Sequence, residues 1–164
     1  MIHEQPSDLV EVTLSVCTTI TVHTSFIAYH RWKDCPHPEK AFLRDFHRHV
    51  FHVHAEITVT HADRDLEFFM VQDLLTSLCR NFEGRQLDNS CESFAQILLL
   101  GLLRHGLPCY QVQVSEDEEN SATVSVLSGE LPLRKVTTLL PRSIAQSSVV
   151  TASASPALDG GRGE

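Results

Sequence analysis

Between Val10 and His30 the chain is rich in Val, Ile, Thr and Phe with partial alternation of apolar and polar positions. That period of two predicts one or two strands meeting around Cys17 to Ile20. The stretch from Trp32 to Lys40 breaks the pattern with Pro36 and Pro38 among charged residues, and predicts a loop. A second strand follows from Phe46 to His61, and two long neighbouring strands pair most simply as an antiparallel ladder. From Phe69 onward the period changes. Val71, Leu74, Leu75, Leu78 and Phe82 fall at helical spacing and leave Asp73, Thr76 and Arg80 for the wetter face. After Gly84, Asp88-Asn89-Ser90 offers N-cap residues ahead of a second apolar helix from Phe94 to Leu103, ended near Gly106 and Pro108. Strand pattern returns at Val112 and Val114, crosses the acidic turn Ser115 to Asn120, and resumes from Ala122 to Leu127 as a hairpin partner. Two strands, two helices and two more strands predict an α+β body with a four-stranded antiparallel sheet. Residues 1–146 are expected to form one domain, and 147–164, with few core formers, a disordered tail.

Composition narrows the classes of function. Acidic residues outnumber basic ones 21 to 13, giving a formal net charge of -8, so a broad nucleic-acid surface is not expected. No apolar run approaches the ~20 residues that span a bilayer. The start, Met1-Ile2-His3-Glu4-Gln5-Pro6, lacks a basic-then-apolar leader, so a cytoplasmic address is expected. The five cysteines, Cys17, Cys35, Cys79, Cys91 and Cys109, contain no C-x-x-C pair and predict reduced thiols rather than a disulfide framework. No phosphate-cradling glycine motif and no G-x-S-x-G elbow occurs.

Histidine is the unusual residue, with ten in the chain. In Phe46-His47-Arg48-His49-Val50-Phe51-His52-Val53-His54, strand alternation sends His47 and His49 to one face and His52 and His54 to the other. Either pair presents two imidazoles, and a stable metal site needs a third ligand from elsewhere. For the first pair the natural third ligand is His30, at the end of the preceding strand. Three imidazoles leave one tetrahedral position for water or substrate, the arrangement of catalytic zinc.

Several stretches in register resemble one family. Ser25-Phe26-Ile27-Ala28-Tyr29-His30-Arg31 is similar to F-x-A-A-H-R, and Phe46-His47-Arg48-His49-Val50-Phe51 to L-H-G-H-[NS]-[YF]. Asn89-Ser90-Cys91-Glu92-Ser93-Phe94-Ala95 resembles P-T-[SA]-E-N-L-A, and Val112-Gln113-Val114-Ser115-Glu116-Asp117 resembles V-x-V-x-E-T. Over roughly residues 20 to 126 the chain thus resembles a divergent member of the 6-pyruvoyl tetrahydropterin synthase and 6-carboxytetrahydropterin synthase family, the latter of the queuosine pathway. The resemblance implies a tunnelling fold with two helices on one face of the sheet, a Zn2+ on His30, His47 and His49, and Glu116 binding a pterin's amino-pyrimidine edge. It also implies lyase chemistry on 7,8-dihydroneopterin triphosphate or a related pterin, in tetrahydrobiopterin or 7-deazaguanine synthesis, and a homo-oligomer, often a hexamer.

The chain departs from the family at the acid-base groups. Leu43 precedes His47 where a cysteine is expected, and Leu78-Cys79-Arg80 stands where L-D-H would be. Cys35, with His37 and Lys33 nearby, and Asp45 are the replacement catalytic candidates. Without replacements, the alternative is an inactive relative that keeps fold and metal site as a binding or assembly component.

Overall fold

Alternation between Thr18 and Val59 resolves into two long strands joined across a short helical loop. A computed structural model describes residues 9–126 and 134–141. In it β2 (Thr18–His30) and β3 (His47–Val59) run antiparallel over their full lengths, with Thr18 opposite Val59 and His30 opposite His47. The connection holds a 3-10 segment, Pro38–Arg44, where a plain loop was expected. Directly opposed residues share a face, so Val22, Phe26, Ala28 and His30 lie on one side with Ala55, Phe51, His49 and His47.

Helix α1 (Phe68–Cys79) begins at Glu67, whose carboxylate accepts from the Phe69 N–H; α2 (Cys91–Arg104) begins at Ser90, whose hydroxyl accepts from the Ser93 N–H. Both lay their apolar stripes on that same sheet face: Val71, Leu75 and Cys79 from α1, and Phe94, Ala95, Leu98, Leu99 and Leu102 from α2 are buried against it. At the centre Phe26, Phe51 and Phe94 meet with ring centroids 5.0 to 5.3 Å apart, near the optimum for aromatic pairs. Each fully buried large apolar side chain contributes about 1.5–3 kcal/mol of transfer free energy, which makes this layer the main source of stability.

β5 (Cys109–Glu116) pairs antiparallel with β3, placing Val112 and Val114 opposite Ala55 and Val53, and Glu116 opposite Phe51. β6 (Asn120–Ser125) returns along β5 as the expected hairpin. The sheet has five strands rather than the four expected, because β4 (Gln86–Leu87) adds a short parallel pairing to Tyr29 and His30, giving the order β4-β2-β3-β5-β6. Two residues carry no readable periodicity, so the strand has no sequence signature. It is aligned by the turn at Gly84, whose φ of 69° suits glycine. The Gly84 N–H donates to the Ile27 carbonyl (2.7 Å) and the Tyr29 N–H to the Arg85 carbonyl (2.8 Å), so the edge of β2 is satisfied here.

A separate unit consists of β1 (Leu9–Val16) and β7 (Arg134–Pro141), paired antiparallel from Leu9 opposite Pro141 to Val16 opposite Arg134. The break expected near Cys17 falls there, but β1 pairs with β7 rather than with a sequence neighbour. The tail expected from 147 to 164 lies outside the described residues. Among the described residues no helix is long and apolar enough to cross a membrane.

Candidate metal centre

The register that sets His30 opposite His47 also brings His49, two residues along β3, to the same end of the same face. One ring nitrogen from each of the three histidines lies within 4.8 Å of the others, and their ring centroids are 4.6 to 5.1 Å apart. Each ring is held by its Nδ1. His30 Nδ1–H donates to the Asn89 carbonyl at 3.1 Å, His47 Nδ1–H to the Asp45 carbonyl at 2.8 Å, and His49 Nδ1–H to Asp117 Oδ2 at 2.5 Å. A carbonyl has no proton to give, so His30 and His47 must be the donors; Asp117, held below the usual carboxylate range by the Val50 N–H and then by His49, is likewise an acceptor. With Nδ1–H so engaged, Nε2 is the nitrogen each ring has left to offer a cation, the arrangement that orients histidine ligands on a metal.

The fit to a cation shows at His30. The residue is 9% exposed, and its Nε2 has no hydrogen-bond partner among the described residues. Glu116 Oε1 stands 3.2 Å away, close enough for a Coulombic contact but not aligned as a hydrogen bond. A buried lone pair facing a carboxylate oxygen at that distance is unfavourable unless a positive charge lies beside them. Protonation of His30 itself is opposed: burial first, with His47 and His49 acting in the same sense, lowers its pKa against the opposite pull of the Asn89 hydrogen bond and Glu116. The donor set and the orphaned nitrogen fit a divalent metal held by imidazoles.

Glu116 Oε1 also lies 3.6 Å from Cys91 Sγ, which donates to it. Burial, then the neighbouring Glu116 charge, pushes the Cys91 thiol up to about 12, so it remains a donor. The three histidines and Glu116 open into a cleft of about 710 Å³ whose walls include Trp32, Phe42, Arg31 and Arg48. Trp32 and Phe42 are 50% and 63% exposed, leaving two aromatic faces at the mouth.

The remaining sequence candidates fall elsewhere. Cys35 is buried, its carbonyl is gripped by the Arg44 guanidinium at 2.7 and 3.0 Å, and its Sγ faces the His37 carbonyl at 4.0 Å; it does not line the cleft. Asp45 is exposed and contributes its backbone carbonyl to His47. Cys79 is buried in the core, its thiol pushed up to about 12 by burial and then by Glu83. His52 and His54 lie on the opposite sheet face, where His54 meets the His23 ring at 4.2 Å between centroids. Sequence reasoning did not reach Asp117, Cys91 or the two backbone carbonyls. Asp117 sits in an acidic run that reads as a solvated turn, and a carbonyl has no sequence signal at all.

An α+β domain with helices on one sheet face and three histidines at one end of its central strand pair is the class these observations define. Among solved structures, the 6-pyruvoyl tetrahydropterin synthase of Caenorhabditis elegans is similar in fold, with a TM-score of 0.55 at 13% identity, covering 68% of this chain and 96% of that one. An uncharacterized protein from Wolinella succinogenes is matched at 13% identity and a TM-score of 0.47, covering 68% of this chain and 99% of that one. No family profile matches the sequence, and no curated protein matches it. At that identity the likeness establishes the fold, and the chemistry has to be argued from the site.

Proposed function

We propose that this chain is a zinc-dependent pterin-site protein, related to 6-pyruvoyl and 6-carboxytetrahydropterin synthases and acting on 7,8-dihydroneopterin triphosphate or a related pterin. The observation that carries this reading is the buried Nε2 of His30, without a hydrogen-bond partner among the described residues, beside Glu116 in a cleft that Trp32 and Phe42 also line. His30, His47 and His49 would hold Zn2+, which when bound supplies a Lewis acid for the substrate's side-chain hydroxyls. Glu116 accepts from the ring's amino-pyrimidine edge, whose paired donors suit a carboxylate. The Cys91 thiol donates to the same Oε1 that faces His30 and so helps to orient that carboxylate. Trp32 and Phe42 offer apolar faces to a planar ring and exclude water from it.

One observation favours the second reading, a binding or assembly component without turnover. Cys35 is buried outside the cleft and the Asp45 side chain is exposed to solvent, so proton transfer through either residue requires the loop to rearrange. In either case a homo-oligomer is part of the proposal, because β6 has no partner on its outer side among the described residues, and exposed edges are usually paired or covered. Incubating the zinc-loaded protein with dihydroneopterin triphosphate and following products by mass spectrometry separates the readings. Any side-chain-cleaved or rearranged pterin supports turnover; recovery of intact substrate beside measurable binding supports the second reading.

A further inference from the structure

We propose that Asp117 is a positioning residue for the metal centre, its carboxylate fixing His49 in the tautomer and orientation that present Nε2 to a cation. Three bonds tie it to two consecutive residues of β3. Oδ2 accepts from His49 Nδ1–H at 2.5 Å, Oδ1 accepts from the Val50 N–H at 2.9 Å, and the Asp117 N–H donates to the Val50 carbonyl at 2.9 Å. One short carboxylate thus reads the backbone and the ring together. A ring so held keeps one tautomer and one χ2, whereas an imidazole held only by solvent samples both.

The backbone around it argues that the geometry is specified rather than incidental. The β5–β6 turn is closed by the Glu119 N–H on the Glu116 carbonyl at 2.9 Å, and both central residues, Asp117 and Glu118, have positive φ, 48° and 63°. Such a turn is ordinarily made by Asn-Gly or Asp-Gly, because glycine enters this region freely. Here no glycine is present, and a glutamate occupies the second position at a conformational cost. Strain of this kind persists where the surroundings over-determine it, typically at functional sites. The same turn carries Glu116 at its first position, so anchoring Asp117 to β3 also holds the backbone from which the Glu116 carboxylate reaches His30.

The role rests on the metal-centre reading, while the geometry stands without it. The decisive variant is Asp117→Gly, which suits the positive φ and keeps the turn but removes the carboxylate. Zinc affinity, measured by competition with a chromophoric chelator, is expected to fall 10- to 100-fold. The metal-free variant should melt somewhat lower, because the two hydrogen bonds to the carboxylate are lost, so zinc affinity is compared at a temperature where both proteins are fully folded. Asp117→Asn, which keeps one acceptor but sets an amide donor against a second N–H, should fall between. The second readout is ring 15N NMR of the metal-free protein at about pH 8, where unpaired imidazoles are neutral. His49 should be in the Nδ1–H form in the parent and a tautomer mixture in Asp117→Gly. Unchanged zinc affinity in Asp117→Gly overturns the proposal. If the parent binds no zinc, the proposed function fails and the NMR decides Asp117 alone: a fixed Nδ1–H tautomer lost on substitution upholds the positioning role, and a mixture already present in the parent overturns it.

Discussion

Glu116 brings a carboxylate oxygen to 3.2 Å from the Nε2 of His30, on the one buried side-chain nitrogen or oxygen among the described residues that has no hydrogen-bond partner. A strand end that was only a solvated turn would have no reason to hold an acid there. If a pterin-like ring binds, leaving its guanidine-like edge unpaired in the cleft costs about 1–3 kcal/mol. Glu116→Ala should therefore weaken binding of sepiapterin or neopterin by roughly tenfold or more while zinc content stays the same. Calorimetric titration of both proteins checks this, and equal affinities would remove Glu116 from the binding role.

The long strands and the histidine triad were legible in the sequence because period-two alternation is a local property. Once His47 and His49 share a face, an antiparallel partner ending at His30 completes the set. Other features were not local. β4 is too short to show a period, and β7 finds its partner at the opposite end of the chain, a pairing no local pattern specifies. Asp117 was hidden because four successive residues, Glu116 to Glu119, are acidic and only the folded turn, by aiming one carboxylate at His49 and the Val50 N–H, singles it out. The enclosure of Cys35 likewise depends on Trp32 and Leu43 being joined by a backbone hydrogen bond of 2.6 Å, with Arg44 closing over the Cys35 carbonyl.

The Phe26, Phe51 and Phe94 cluster is the joint between the sheet and α2, and Phe94 is fully buried within it. Phe94→Ala should cost about 3–5 kcal/mol of stability, since the neighbouring rings cannot collapse into the space left behind. Denaturant melts should show a lowered midpoint with an unchanged slope.

Stability should form a plateau in pH. Burial, then His23 and His52, lower His54 below its ordinary value of 6.5, so as pH falls below that value the unfolded chain takes up a proton the folded chain resists, and stability drops. Burial acts on His30 in the same direction. Hydrogen bonds hold Asp65, Asp88 and Asp117 below their ordinary 3.8, so their contribution is present above that pH and is lost beneath it. On the alkaline side, burial pushes Cys79, Cys91 and Cys109 from an ordinary 9.0 up to about 12, so the unfolded chain ionises first and stability falls as pH rises through that window. Melting temperatures of chelator-treated protein should be highest between pH 6.5 and 9.0. His54→Gln should flatten the upper part of the acid limb, and an identical limb would assign it to other groups.

Metal binding should be confined to one sheet face, with one ion on His30, His47 and His49 and none at His52 and His54. Zinc content per chain after equilibration and desalting tests this most directly, compared among the parent, His47→Ala and His52→Ala. About one zinc is expected in the parent and in His52→Ala, and almost none in His47→Ala, because a three-histidine site cannot hold its ion on two ligands. No zinc in the parent, or equal loss from both variants, would contradict it.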